Sequence, residues 1–171
     1  MFRRMDDFCE AWKTEAKATL AVFEAIPDAN LDQAVAEGHR TLRRMAWHLV
    51  ETLIEMPGRL GLAIEGKQFM EGPSIGPPPA TMAELRAAYA AANASLVAGL
   101  ASWDDAQLEK VDDMYGEPWM RGKSLFVLLV HQTHHRGQMT VLMRQAGLRV
   151  PECYGPAKEG WGAYGAQPPK V

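Results

Sequence analysis

Apolar residues recur every three or four positions in four separate segments, and this spacing constrains the fold more than any other feature of the sequence. The clearest case is the segment from about residue 40 to 56, where one apolar stripe follows one face of a helix. Its members are Leu42, Met45, Leu49, Leu53 and Met56. No segment shows the regular alternation of a half-buried strand. The sequence therefore predicts an all-α fold, a four-helix bundle.

Helix-breaking and helix-capping residues bound the four predicted helices. These helices span about residues 3–26, 40–56, 81–103 and 123–146. Thr81 and Glu84 have the spacing of a capping box at the start of the third helix, and Gly147 is typical of a C-terminal cap after the fourth. Pro57 and Gly58 are expected to break or kink the second helix.

The segments between and after the helices are polar or rich in glycine and proline. Residues 66–80 are predicted to form a surface loop, and residues 104–121 a loop or a short extended piece. The tail from about residue 148 is predicted to be irregular. At 171 residues, the whole chain (1–171) is most simply one helical-bundle domain.

Composition and charge argue against several classes of protein. The formal net charge is -3, so the sequence shows no basic surface for nucleic acid. The apolar run at residues 125–130 is too short to span a membrane, and the N-terminus lacks the apolar core of a signal peptide. Cys9 and Cys153 match no metal or redox spacing. We therefore expect reduced thiols in a cytoplasmic protein, with Cys153 more exposed than Cys9.

Three of the five histidines lie within the segment HQTHH. On a helix, His131 and His135 point from one face, one turn apart, which suits two ligands of one metal ion. His134 is the competing partner for His131. Leu128 and Leu142 continue the face of His131 and His135, so we expect this face to lie inside the bundle. The alternative is a set of ordinary buried histidines that hydrogen-bond to the backbone.

A third ligand would have to come from another helix, and His48 in the segment AWHLVE is the strongest candidate. His39 lies at the start of the second helix and is more simply a solvated or capping residue. Three neutral imidazoles from two helices would leave one or more coordination positions for water or substrate. That is the pattern of a catalytic rather than a structural metal site.

The HQTHH segment has the histidine spacing of the HExxH metalloproteases, but Gln132 stands where their glutamate base would be. Glutamine cannot take a proton from water, which argues against that class of protease. Glu51 and Glu55 lie three and seven residues beyond His48, on roughly the same face of the helix. They are candidate general bases; the alternative is that they are solvated carboxylates or partners of the ligand histidines.

The segments AWHLVE, HQTHHRGQ and VPECYGP resemble the DinB/YfiT-like family of bacterial four-helix bundles, which is related to the mycothiol- and bacillithiol-dependent S-transferases. The resemblance extends from the first helix to about Pro156. It implies an up-down-down-up bundle, a homodimer and a divalent metal ion, zinc or nickel, at three histidines. The ligand positions of the family fall on His48, His131 and His135, and His134 falls on a position that is not a ligand.

The three residues that follow His135 are expected to serve packing more than chemistry. Gly137 has no Cβ, so a neighbouring helix or a substrate can approach it closely. Gln138 lies one turn beyond His135 and can hydrogen-bond a ligand histidine or a backbone carbonyl. Arg136 is expected to point away from the metal, toward a carboxylate or the dimer surface.

Two functions are consistent with such a site. A metal ion with an open coordination position lowers the pKa of water or of a thiol. This predicts a metal-dependent enzyme with a small-molecule substrate, either an S-transferase that uses a low-molecular-weight thiol or a hydrolase. The alternative is a non-enzymatic, stress-related metal-binding protein in which the ion ties two helices together. No nucleic-acid or membrane partner is expected.

Overall fold

The structure, a computed structural model, describes residues 2–66 and 76–170. Its four long helices are α1 (Met5–Glu24), α2 (Leu42–Arg59), α3 (Met82–Leu100) and α4 (Arg121–Gln145). The predicted helical bundle is thus confirmed. Of the predicted loop at residues 66–80, positions 67–75 lie outside the described residues. Within the described ranges, no helix is both long enough and apolar enough to cross a membrane.

Each helix packs mainly against two others, so the four helices form a ring in the order α1, α3, α2, α4. The helices α1 and α4 run in the same direction, because Phe2 lies against Phe126 and, further along both helices, Glu15 pairs with Arg136. Side-chain contacts show that α1 runs opposite to α3 and that α2 runs opposite to α4. These directions give the up-down-down-up topology expected from the family resemblance.

Residues 104–121 are more regular than the sequence predicted. A short 3-10 helix, Asp105–Glu109, leads into an antiparallel hairpin of β1 (Val111–Met114) and β2 (Glu117–Met120). Tyr115 and Gly116 connect the strands with φ angles of 63° and 85°. Two successive residues in the left-handed region match the twist of a two-residue hairpin. The hairpin lies against α2 and α4, at the end of the bundle where α4 begins.

The helix ends follow the capping residues, with one exception. The Thr81 hydroxyl accepts a hydrogen bond from the Glu84 backbone, and the Glu84 carboxylate accepts one from the Thr81 backbone, which completes the predicted capping box. Pro57 does not break α2, which continues to Arg59. Proline has no N–H to donate to the carbonyl of residue 53, so this intrahelical hydrogen bond is lost, and α2 ends two residues beyond Pro57.

Gln132 ties three helices together at the centre of the bundle. This fully buried side chain donates to the Leu49 carbonyl (2.9 Å) and the Thr52 hydroxyl (3.3 Å) on α2. Its own carbonyl oxygen accepts from the Tyr89 hydroxyl on α3 (3.2 Å). A buried polar network in which each member has a partner favours one arrangement of the helices. The network therefore fixes the height of α4 against α2.

The tail after α4 is irregular, as predicted, apart from a 3-10 helix at Trp161–Tyr164. It is held to the bundle by an ion pair between Arg144 and Glu159. The prediction for the cysteines is wrong: Cys9 is exposed, whereas Cys153 is half-buried. The reason is that the tail folds back and packs Cys153 against the core, while Cys9 lies on the outer face of α1.

Candidate metal centre

The helices α2 and α4 bring together the imidazole rings of His48, His131 and His135. Nε2 of His48 lies 3.1 Å from Nε2 of His131 and 3.2 Å from Nε2 of His135. One ligand atom from each residue lies within 4.8 Å of the other two. The structure therefore juxtaposes the three residues that the sequence and the family resemblance singled out.

The chemistry of this donor set fits a divalent cation. Two nitrogens that each lie about 2.05 Å from one tetrahedral zinc ion are roughly 3.3 Å apart, close to the separations of 3.1 and 3.2 Å seen here. Without a cation, adjacent Nε2 lone pairs would repel unless an N–H lay between them. The group is thus compatible with metal binding, although three imidazoles suit zinc, nickel, copper and iron alike.

Gln138 selects the tautomer of His135. Its side-chain carbonyl oxygen lies 2.7 Å from Nδ1 of His135. Because a carbonyl oxygen can only accept, Nδ1 carries the proton, and the lone pair of Nε2 faces His48. Histidines that bind metals commonly donate their other ring N–H to an acceptor in this way. Gln138 therefore takes the hydrogen-bonding role that the sequence suggested.

A buried carboxylate stands behind His48. Oε2 of Glu51 lies 3.6 Å from Nδ1 of His48, which favours a proton on that nitrogen and a lone pair on Nε2. Arg44 donates two hydrogen bonds, of 2.9 and 2.7 Å, to the same carboxylate. Since Arg44 binds both oxygens of Glu51, this carboxylate is suited to orienting His48 rather than to acting as a free base.

Three other residues that the sequence suggested are not members of the imidazole cluster, although the ring of His134 lies 4.8 Å from that of His135. Glu55 is directed to the hairpin, where it pairs with Arg59 (2.9 Å) and accepts from Tyr115 (3.0 Å). His134 is exposed and outside the group that can hold an ion. In the described part of the chain, no neighbouring helix comes within 4 Å of a Cβ built on Gly137. The described residues therefore do not make the close approach expected at Gly137.

Burial lowers the pKa of two of the three imidazoles. The pKa of His131 falls to about 4, first because burial disfavours the charged ring and then because His135 and His48 are close. Burial also lowers the pKa of His135, and its hydrogen bond with Gln138 offsets only part of this effect. Both rings are therefore neutral at pH 7, as metal binding requires.

The centre adjoins a cleft of about 460 Å³ between α4 and the segment that precedes α2. The cleft is lined by Val35, His39, Arg40, Met45, His135, Gln138, Val141 and Leu142. Its volume is typical of a small-molecule site. His39 is exposed, as predicted, but it does not cap α2, since Thr41 does.

Two ionic contacts near the centre were not predicted from the sequence. Arg44 lies seven residues, or two helical turns, before Glu51, which is beyond the three- or four-residue spacing of ordinary helical ion pairs. Arg136 is buried, points away from the imidazoles and pairs with Glu15, which lies 121 positions away. The prediction that Arg136 faces a carboxylate is confirmed, but no local pattern could identify a partner so distant in sequence.

Comparisons with known proteins agree with this fold. A family model described as the DinB family matches residues 1–168. An uncharacterized protein of Bacillus subtilis (strain 168), YrdA, is 38% identical over 173 residues, with all of both chains covered. A crystal structure of a DinB-like protein from Bacillus cereus ATCC 10987 is 36% identical, with a TM-score of 0.82 over 90% of this chain and 100% of that one.

A second crystal structure, of the DinB-like protein YjoA from Bacillus subtilis, has a TM-score of 0.66 at 17% identity and covers 85% of this chain and 96% of that one. At this identity the likeness supports the fold alone. The family model and YrdA, by contrast, align with nearly the whole sequence. The chain therefore belongs to the DinB family.

Proposed function

We propose that the protein is a divalent-metal-dependent enzyme that transfers a low-molecular-weight thiol to a small electrophile, with hydrolysis of a small substrate as the second candidate reaction. The convergence of three imidazole nitrogens beside a cleft carries this proposal. Three protein ligands leave a position for a reactant, which is characteristic of catalytic rather than structural zinc sites. His48, His131 and His135 would hold the ion, zinc or nickel.

The ion would supply Lewis-acid chemistry by lowering the pKa of a thiol or water molecule brought against it. The surrounding side chains would keep the centre in shape. Gln138 holds His135 with Nε2 turned inward, and Glu51 stands behind Nδ1 of His48. Met45 and Leu142 provide an apolar wall against which the body of a small substrate can pack.

The two nearby carboxylates are already bound by other side chains, and this favours thiol transfer over hydrolysis. Of the two candidate bases, Glu51 is bound by Arg44, and Glu55 is bound by Arg59 and Tyr115. A thiol has an ordinary pKa of about 8.5, so it needs only a modest shift to ionise at neutral pH, whereas water needs a much larger one. In the transfer, the sulfur forms a bond to the electrophilic carbon, the leaving group departs with its electron pair, and the thiol proton goes to solvent.

A non-enzymatic, stress-related metal-binding protein is the alternative. In that function the ion would mainly join α2 to α4, and no substrate would bind at its fourth coordination position. The family resemblance supports a homodimer as part of either function, and two cysteines without a metal or redox spacing favour a cytoplasmic location.

Elemental analysis of protein purified without chelator tests the metal centre. We expect about one divalent ion per chain in the wild type and loss of the ion in His48→Ala and in His135→Ala. His134→Ala is a matched control, because this exposed histidine neighbours His135 but lies outside the cluster. A wild-type protein without metal, or an ion retained in both cluster variants, would contradict the proposal.

A thiol assay then separates the two functions. Metal-loaded protein is incubated with a panel of low-molecular-weight thiols and electrophiles, and thiol consumption is followed with and without chelator. Turnover that chelator stops would support the transferase. Full metal occupancy without turnover of any thiol, ester or amide would support the non-enzymatic alternative.

A further inference from the structure

One arginine beside the metal centre has no acidic partner among the residues that the structure describes. Arg40 lies just before α2 and lines the cleft together with His135 and Gln138. The next two arginines in the sequence are both paired, Arg43 with Asp32 and Arg44 with Glu51. Across residues 2–66 and 76–170, by contrast, no carboxylate forms an ion pair with Arg40.

Arg40 places its positive charge beside the imidazole cluster, because it lines the same cleft as His135. A divalent ion on three neutral imidazoles would add two more positive charges to the same region. A ligand in this cleft therefore meets a strongly positive environment, which favours an anion.

The rest of the cleft restricts the shape of that anion. Met45, Val141 and Leu142 make one side of it apolar. The carbonyl oxygen of Gln138 accepts from His135, and its amide N–H groups have no hydrogen-bond partner among the described residues. The cleft thus offers a cation and an amide donor above an apolar wall, next to the imidazoles. These features suit a small molecule with an apolar body and a carboxylate at one end.

We propose that Arg40 is a substrate-binding residue that receives a carboxylate of a small-molecule substrate, so that the cleft selects anionic substrates. This inference rests on the proposed function, because the carboxylate would occupy the cleft beside the three histidines. The planar guanidinium can donate two parallel hydrogen bonds to a carboxylate, which a lysine cannot do. The carboxylate can belong to the thiol or to the electrophile.

Binding of matched thiols to cobalt-loaded protein tests the role of Arg40. The probes are 3-mercaptopropionate and the neutral 3-mercapto-1-propanol, and the visible absorption of cobalt reports their binding. We expect the acid to bind about tenfold more tightly than the alcohol, as a charge-assisted pair predicts. We expect Arg40→Met to remove this preference and Arg43→Met to retain it, since Arg43 is paired with Asp32 and does not line the cleft.

Binding of a carboxylate that has no thiol group tests the role of Arg40 independently of the proposed thiol transfer. Calorimetric titration with 4-phenylbutyrate tests an anion carried on an apolar body, as an electrophile would carry it. If neither thiol changes the cobalt spectrum, the thiol-transfer proposal fails. The role of Arg40 would still be supported if the protein binds 4-phenylbutyrate and Arg40→Met weakens this binding about tenfold. If both carboxylates bind equally well to wild type and Arg40→Met, or neither binds, the assignment of Arg40 is overturned.

Discussion

Each ring nitrogen of His135 has its own neighbour. Nδ1 donates to Gln138, and Nε2 lies 3.2 Å from Nε2 of His48. A neutral imidazole has one proton, so the hydrogen bond to Gln138 keeps the lone pair of Nε2 turned toward the other histidines. A residue outside the cluster is therefore expected to govern how tightly a metal ion would bind.

We expect Gln138→Leu to weaken divalent-metal affinity by about tenfold, because His135 loses the acceptor that fixes its tautomer. A competition titration with a chromogenic chelator measures the affinity. Gln145→Leu, at the end of the same helix, is the control and should bind metal as the wild type does. Equal affinities of Gln138→Leu and wild type would show that His135 is oriented without Gln138.

The depressed pKa of His131 makes the metal-free fold sensitive to acid. The ring titrates near 6.5 in the unfolded chain and near 4 in the folded protein. Between these values the unfolded state takes up the proton more readily than the folded state does. The stability linked to His131 is therefore fully present above pH 6.5 and is lost as the pH falls toward 4.

We expect His131→Gln to be less sensitive to acid than the wild type. Between about pH 7 and pH 5, the free energy of unfolding of the wild type should fall more than that of the variant. Urea unfolding of chelator-treated protein at the two pH values measures this difference. His39→Gln, which alters an exposed histidine, should follow the wild type. If the free energy of unfolding differed between the wild type and His131→Gln by the same amount at both pH values, the role of His131 would be contradicted.

At the scale of the helix, the HQTHH segment of α4 uses two neighbouring faces, since Gln132 lies about 100° around the helix from His131 and about 60° from His135. His131 and His135 face the cluster, while Gln132 is fully buried in the bundle core. The position that holds the catalytic glutamate of HExxH proteases is thus occupied here by a structural amide. Its contacts are with Leu49, Thr52 and Tyr89, not with the imidazole cluster.

We expect Gln132→Glu to destabilise the protein by about 1–3 kcal/mol and to create no peptidase activity. An ionised carboxylate cannot donate to the Leu49 carbonyl, which would be left buried with one partner fewer. Urea unfolding and hydrolysis of a fluorogenic peptide measure the two outcomes. Gln145→Glu is the exposed control on the same helix. Unchanged stability together with peptide cleavage would show that residue 132 reaches the metal centre.

The four helices were predictable because each carries an apolar stripe over several turns. Such a stripe remains visible even where the helix contains a single proline or glycine, as α2 does at Pro57 and α4 at Gly137. The hairpin was not, since its four-residue strands are too short to show alternation and Pro118 interrupts the second. The four-residue spacing on one helix was enough to pair His131 with His135. His48 lies on another helix, so spacing alone could not assign it as the third ligand, and the family resemblance supported that assignment. The direction of Glu55 could not be predicted, because it depends on a hairpin that the sequence did not reveal.

At the scale of the whole molecule, one buried ion pair joins α1, α4 and the tail. Glu15 is fully buried and binds Arg136, which is only 2% exposed, and it also accepts a hydrogen bond from Tyr154 in the tail. Burial alone would lower the pKa of Arg136, but the hydrogen bond and charge of Glu15 raise it overall. The pair thus depends on both partners being present.

We expect Glu15→Gln to lower the free energy of unfolding by about 3–5 kcal/mol, because the buried charge of Arg136 loses its counter-charge. Urea unfolding measures the loss. Glu24→Gln, an exposed carboxylate on the same helix, should change stability by less than about 0.5 kcal/mol. A comparably small change in Glu15→Gln would show that Arg136 remains satisfied without Glu15.

The metal centre would also tie the fold together, since its ligands come from α2 and from α4. An ion that binds only the folded state stabilises it by about 2.7 kcal/mol when its free concentration is 100 times its Kd. For a chain of this size, that corresponds to a rise of roughly 5–10 °C in the unfolding temperature.

Thermal unfolding with added zinc or nickel should show this rise in the wild type and in His134→Ala, and chelator should reverse it. His48→Ala should lose the rise, because only the two ligands on α4 remain and they cannot join one helix to another. An equal rise in His48→Ala would mean that the ion binds α4 alone. The centre would then be a local site on one helix and would not join α2 to α4.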